Sequence, residues 1–486
     1  MSTPAAPTVR TRFVGRPPLA PVLVAAALVS AAVVTLGAPL VPMVRIHFGL
    51  SEEAAQWSYT ITLLTGAALT PVLGRLADGR RRRPAMIAVC LLVALGCVLS
   101  AVPGPYGLFL AGRALQGLGV ALVAMTIATA RDHASGARAV RLVALLSVTT
   151  AVGAGLSYPV TTSVAQWYGL GAAFGGAAGL GVLITLAVIL GLPAMVDAAR
   201  PRGLDVVGAL LLVIGTGLGL LGISQGNSWG WTDARLLALG GAALLALVAW
   251  VAVELRQRNP LVELRLMAHH DVLIANGTAV LMGISLYALP VLISRLALAP
   301  PSSGYGAGLP LAAVGLVMMP IAIGGLLGSR SSVFLAARWG PYAALAIGAF
   351  VAALGPLTLV LGSTGLWSLV VAIGLSAFGS GATFGMMANL IVAAVDPAQT
   401  GSATSLNLLL RAVGGALGSA GTAAILGAHP GPGGLPTEWG FRLAGLACAA
   451  SCLAALVLSL VLAALSRASR RAARPASPSA DDAAGA

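Results

Sequence analysis

"GRLADGRRRRP", residues 74–84, packs five arginines and one aspartate into eleven positions. The chain on either side is almost free of charge for about twenty residues, the length of one helical crossing of a bilayer core. A short cationic stretch between two such runs reads as a loop held on one side of a membrane, its arginines close to anionic headgroups. Pro84 then opens the next helix at a position where a missing N–H costs nothing.

The same ruler laid along the rest of the chain finds fourteen apolar runs. They cover 20–44, 55–76, 84–103, 106–130, 142–164, 168–192, 205–226, 235–254, 271–296, 308–329, 341–362, 367–394, 401–427 and 441–465. Segments this long must satisfy their own backbone hydrogen bonds in lipid, so they are helices. The fold class is therefore an all-α polytopic membrane protein. Composition agrees: of 486 residues 58% are hydrophobic and 9% charged, whereas soluble domains are about 25% charged.

The net charge of +14 comes from 28 arginines with no lysine. With both termini in the cytosol, fourteen spans leave 22 arginines on the cytoplasmic side and four outside: Arg45, Arg235, Arg295 and Arg442. Arg113 and Arg411 lie within spans. That asymmetry is the positive-inside pattern, so the charge sets topology and implies no nucleic-acid partner. Cys90, Cys97, Cys448 and Cys452 all fall in apolar runs and read as buried free thiols. The basic N-terminus leads into a run long enough to span, which reads as an uncleaved first helix.

The chain also looks doubled. An N-terminal tail (1–19) precedes a six-helix bundle (20–192). A linker with two additional central helices (193–270) follows, then a second six-helix bundle (271–465) and a proline- and arginine-rich tail (466–486) expected to be disordered. "SVFLAARWGP", at the corresponding loop of the second bundle, repeats Leu-Ala, basic residues and proline, with Ala337 where Asp78 stands. Repeated bundles characterise secondary transporters.

Four stretches in order then carry a family resemblance: "GRLADGRRRRP", "GRALQGLGVAL" (112–122), "NPLVELRLM" (259–267) and "GSATSLNLLLRAVGGALGSAG" (401–421). Together they resemble the major facilitator superfamily, in its fourteen-helix drug:proton antiporter branch of multidrug efflux type. The resemblance covers about residues 20–465. It implies two six-helix bundles with two extra central helices, export across the cell membrane by alternating access, and no cofactor, the proton gradient supplying energy. It also implies a small-molecule substrate and a monomer in the bilayer.

Gly74, Leu76 and Asp78 match the family's loop pattern and, with Arg82 and Arg83, are expected to act in gating; Gly79 and Arg81 depart from the pattern. An arginine inside a membrane helix costs about 2.5–3.5 kcal/mol, so Arg113 and Arg411 need partners or water. Arg113 sits roughly 10 Å from the helix end at 1.5 Å per residue. The resemblance puts Arg113, with Gln116, in the bundle interior near the proton path; the competing reading is a side chain that snorkels to the surface. Arg411, near mid-membrane, either faces a cavity or bonds a carbonyl of a neighbouring helix.

Two departures bear on coupling. Ser30, in "SAAVVTLGAP", takes the place of the aspartate usual in helix 1 of this branch. In helix 5 "YPVTTS" keeps Pro159, with Gly155 a turn earlier, and replaces the following glycines. No carboxylate lies deep in any span, arginine does not titrate, and the five histidines fall in loops or at helix ends. Glu53 or Asp78 is left as the proton group; otherwise the protein is a diverged facilitator, or a transporter-like sensor or scaffold, without proton coupling. Pocket candidates are Ser30, Gln56, Trp57, Tyr59, Tyr158, Tyr287, Met386, Met387 and Asn389, aromatic and thioether linings suiting apolar ligands. A membrane enzyme would need clustered nucleophiles, paired acids or metal ligands, and the sequence has none; no metal is expected.

Overall fold

The computed structural model describes residues 19–77, 79–133, 136–193, 205–257, 260, 264–265, 270–361, 365–395, 400–431 and 435–472. Asp78 and the last tail residues, 473–486, lie outside them.

Among the described residues, sixteen α-helices follow one another. The first bundle holds α1 (Leu19–Thr35), α2 (Val41–Phe48), α3 (Glu52–Leu76), α4 (Arg82–Ala101), α5 (Tyr106–Gly117), α6 (Gly119–His133) and α7 (Gly136–Gly191). Next come α8 (Val206–Trp229) and α9 (Ala234–Arg256). The second bundle holds α10 (His270–Leu298), α11 (Leu311–Val317), α12 (Pro320–Trp339), α13 (Pro341–Leu361), α14 (Leu366–Ala394), α15 (Thr400–Gly427) and α16 (Glu438–Ala472). An isolated bridge between Pro430 and Pro436 is the one β pairing among the described residues.

Among the described residues, twelve helical stretches are long and apolar enough to cross a membrane. Several are interrupted where the sequence dictates it. Pro39 and Pro42 cannot donate to a continuous ladder, so Leu19–Phe48 is α1, a 3-10 turn and α2. Pro320 likewise starts α12 after a turn at Met318 and Met319. The stretch expected as 106–130 breaks at Leu118 into α5 and α6.

Two expected crossings take a different form. α3 is 25 residues long, but Gln56, Ser58, Thr60, Thr62 and Thr65 make it the most polar of the long helices of the first bundle, and it is not among the twelve. α7 runs through both 142–164 and 168–192 without a loop, for 56 residues. That is about 84 Å at 1.5 Å per residue, far beyond a bilayer core of about 30 Å. Gly169 breaks it, at φ 85° and ψ 172°, a conformation that only glycine adopts without strain. At the other end of the chain α16 continues to Ala472, into the tail expected to be disordered, because "SRASRRA" is rich in the helix formers Ala and Arg.

One buried cluster joins α1, α4, α5, α6 and α7, and another joins α10, α13, α14 and α16. A third lies between the bundles and draws on α3, α7, α10, α11, α14 and α15. α8 and α9 pair with each other and pack on α3 and α15 through Ala209, Leu212 and Trp250. Lipid tails are as apolar as leucine, so close approach of small residues carries most of the helix association. All four cysteines are buried and free.

Exposed aromatics mark the helix ends. Trp167 and Tyr168 flank the α7 break, and Trp229, Trp231, Trp367 and Trp439 stand at helix termini on the same end of the molecule, with Trp339 at the opposite end. Such girdles belong at the headgroup level. The end bearing Trp339 also bears Arg80 to Arg83, Arg330 and Arg338 and is called the arginine-rich end; the other is the arginine-poor end. Tyr106 donates to the Ala54 carbonyl, and the Ala312 N–H to Gln166 Oε1 at 2.7 Å, at the poor end. Arg83 Nη2 donates to the Ile189 carbonyl at 2.9 Å at the rich end.

Candidate functional site

The two bundles meet along two seams, α3 with α15 and α7 with α11 and α12. At the poor end of the first seam lies a buried polar cluster. Gln56 Nε2 donates to Ser419 Oγ at 2.6 Å, and the Thr60 and Ser419 hydroxyls are 2.8 Å apart. Arg295 Nη2 donates to Gln56 Oε1 at 3.1 Å. Gln56 and Thr60 are one turn apart on α3 and so face α15 together. Ser419 stands on α15 and Arg295 on α10, so every one of these bonds crosses from one bundle to the other.

The second seam has almost no gap. A Cβ at Gly315 of α11 would overlap Thr162 and Pro159 of α7, and one at Gly155 would overlap Ala322 of α12. Gly155 and Pro159, the remnant of the helix-5 signature, therefore sit on the bundle interface. Together the seams close the arginine-poor end.

Below this closure three tyrosines converge from both bundles: Tyr59 on α3, Tyr158 on α7 and Tyr287 on α10. Tyr59 and Tyr158 are 1% and 3% exposed. Among the described residues none of the three hydroxyls takes part in a hydrogen bond. Tyr287 packs on Gly415 of α15, and one turn earlier Arg411 projects its guanidinium over the Phe384 ring, 4.8 Å from the centroid.

Arg113 is fully buried, and its hydrogen bonds stay within the first bundle. Nε donates to the Ser58 carbonyl of α3 at 2.8 Å, Nη1 donates to Gln116 Oε1, and the guanidinium stands 5.5 Å from the Phe174 centroid. Gln116 Nε2 passes the network on to the Gly96 carbonyl and Ser100 Oγ of α4, each at 3.0 Å. Nη2 lies against Gly37 and has no hydrogen-bond partner among the described residues. Arg113 thus pins α3, the helix carrying Gln56 and Thr60, to its own bundle. Ser30 Oγ donates to the Gly119 carbonyl at 2.6 Å and joins α1 to α6.

The remaining candidates scatter. Asn389 is exposed on α14, while Met386 and Met387 are buried in the second bundle's core. Gly74 is exposed, and a Cβ added there would meet nothing within 4 Å among the described residues. Leu76 is half-buried. Arg82 Nε donates to the Ala77 carbonyl at 3.2 Å.

Several polar residues escape the sequence reading. Arg295, counted outside at the end of the run 271–296, is buried where α10 meets Gln56 of α3. Asn407 Nδ2 donates to Asn276 Oδ1 at 3.1 Å and the Ala275 carbonyl at 3.0 Å, joining α15 to α10. Glu254 is buried and accepts from Trp250 Nε1 at 3.1 Å, and Asp205 caps α8 through the Gly208 N–H at 2.9 Å. The visible signal for all of these was a lone polar residue in an apolar run, which does not say what it meets.

Two helical bundles closed at one end over a polar and aromatic interface define a multi-pass membrane transporter. Residues 23–419 match the family model described as Major Facilitator Superfamily, and the chain belongs to that family, whose members are transporters rather than enzymes. It is 29% identical over 407 residues to the cephamycin export protein CmcT of Amycolatopsis lactamdurans, covering 82% of each chain. It is 25% identical over 319 residues to the uncharacterized MFS-type transporter YhcA of Bacillus subtilis, covering 64% of this chain and 57% of that one. A crystal structure of the peptide transporter POT in complex with sulfate superposes with a TM-score of 0.67 at 18% identity, covering 94% and 96% of the two chains. The likeness to POT concerns the fold alone. The protein is a multi-pass protein of the cell membrane.

Proposed function

We propose that this transporter exports amphipathic small molecules, drugs or metabolites, by alternating access, with the arginine-rich end in the cytosol. The observation that carries this reading is the set of interbundle bonds made by Gln56, Thr60, Ser419 and Arg295. They are few, polar and confined to one end, so rocking of the bundles breaks them at small cost. Interhelical hydrogen bonds in membranes average about 0.6 kcal/mol. The 22-to-4 distribution of arginines supports the orientation. The export named for CmcT supports the direction.

The chain crosses the bilayer fourteen times in this reading. The twelve apolar stretches are joined by α3, which must return the chain between Leu19–Phe48 and Arg82–Ala101, and by the division of α7 at Gly169. Both termini are then cytosolic, and the protein works as a monomer without a cofactor.

The proton gradient is the proposed energy source. A second reading, a facilitator without proton coupling, is favoured by one observation: Ser30 is committed to a helix-packing bond with Gly119 and cannot titrate. The test is dye uptake by proteoliposomes with and without an imposed pH gradient. Gradient-dependent uptake supports antiport. Equal uptake in both supports the facilitator, and no uptake across a broad dye and antibiotic panel removes drug export.

A further inference from the structure

We infer that the interface holds a binding site for the anionic group of an amphipathic substrate, with Arg411 as its anchor. This rests on the transport reading and names the substrate's charge. Arg411 is half-buried near the middle of α15, and its one contact among the described residues beyond van der Waals packing is the Phe384 ring. A cation over a ring uses the face of the guanidinium and leaves its N–H edge unused. That edge presents a planar fork of donors matched to a carboxylate, sulfonate or phosphonate.

Among the described residues no carboxylate pairs with it. In the sequence, all fourteen acidic residues lie outside the apolar runs or at their ends. On α10, which packs on Arg411 through Gly283, the nearest is Asp271. It lies twelve residues away, about 18 Å along the helix, and accepts from the Tyr342 hydroxyl. A guanidinium at this depth with no counter-charge is suited to accept one from a ligand, and it repels a cationic one.

The surroundings fit the rest of such a molecule. Tyr59 and Tyr158 are more than nine-tenths buried, and their hydroxyls, like that of Tyr287, make no hydrogen bond among the described residues. These phenols offer donors and flat apolar faces together. Tyr287 stacks on Gly415, one turn from Arg411, which brings the anion anchor and the aromatic cluster onto one stretch of the interface. Closure of the poor end leaves this stretch beneath the Gln56–Ser419 bond.

The experiment uses the full chain in nanodiscs and two dyes that share a xanthene ring: fluorescein, an anion at pH 7, and rhodamine 6G, a cation. Fluorescein is expected to bind and rhodamine 6G to bind at least tenfold more weakly. Arg411→Gln should weaken fluorescein at least tenfold, Arg411→Lys less, and Tyr158→Phe and Tyr287→Phe a few-fold each. Retention of the wild-type melting temperature by the lysine and phenylalanine variants guards against unfolding. Stronger binding of rhodamine 6G, absence of fluorescein binding, or indifference of fluorescein binding to Arg411→Gln overturns the site. Transport of rhodamine 6G without fluorescein binding overturns the site and leaves export standing. Arg411-dependent fluorescein binding with no dye crossing proteoliposome membranes supports the site and overturns export.

Discussion

Ser419→Ala is the perturbation on which the closed arginine-poor end makes its clearest demand. The Ser419 hydroxyl accepts from Gln56 Nε2 and pairs with Thr60 Oγ1, so its removal deletes two interbundle bonds without adding volume. At about 0.6 kcal/mol per interhelical hydrogen bond, the loss is about 1.2 kcal/mol, or about an eightfold fall in the closed-to-open ratio of that end. Thr60→Val deletes one of the two and should give about a threefold fall on the same scale. Ser451→Ala serves as the control, because the Ser451 hydroxyl donates to the Cys448 carbonyl of its own helix. Spin labels at Ile46 and Trp367, both highly exposed at the poor end on opposite bundles, report the populations by pulsed distance measurement. The four native cysteines are buried, which favours selective labelling of the introduced pair. A long-distance population that grows in the order Ser451→Ala, Thr60→Val, Ser419→Ala is expected. An unchanged distribution in Ser419→Ala would refute the assignment of these bonds to a closure.

Gly315→Val should abolish turnover, because its side chain would meet Thr162 and Pro159 across the second seam; dye binding should persist, and normal turnover would contradict the close approach. Arg113→Gln leaves the Ser58 carbonyl without its guanidinium donor and should cost about 1–3 kcal/mol, read as a lower melting temperature in detergent. Gly169→Ala forces a side chain onto a φ of 85° and should cost about 1–3 kcal/mol by the same readout.

Much of the fold was legible because a bilayer imposes a length on every helix and a sign on every loop. The run at 84–103 needed only its apolar length and Pro84 to be placed as α4. α3 was legible too, although polar, because its run fits between two charged ends. The merger of two crossings in α7 was not, because a single glycine replaces the loop and no periodicity changes across it.

The site was read less well, for a physical reason. Arg113 and Arg411 look alike in sequence, each a cation in an apolar run. Their surroundings separate them: Arg113 knits α3, α4 and α5 together, while half-buried Arg411 meets the Phe384 ring. The Gln56–Arg295 bond joins residues 239 positions apart, and only the packing of α3 against α10 and α15 brings them together. Arg295 was counted with the outer loop because it stands one residue from the end of the run at 271–296, and nothing in the sequence shows that it meets Gln56.

Direction of transport and the placing of every gate residue depend on how the chain is threaded. Single cysteines at Tyr168, Trp231, Arg80 and Arg338, each exposed, can be probed with an impermeant thiol reagent on intact cells. Fourteen crossings with the arginine-rich end inside predict labelling of Tyr168→Cys and Trp231→Cys from outside, and of Arg80→Cys and Arg338→Cys only after permeabilisation. Labelling of Arg80→Cys on intact cells, or protection of Tyr168→Cys until the membrane is opened, would contradict it.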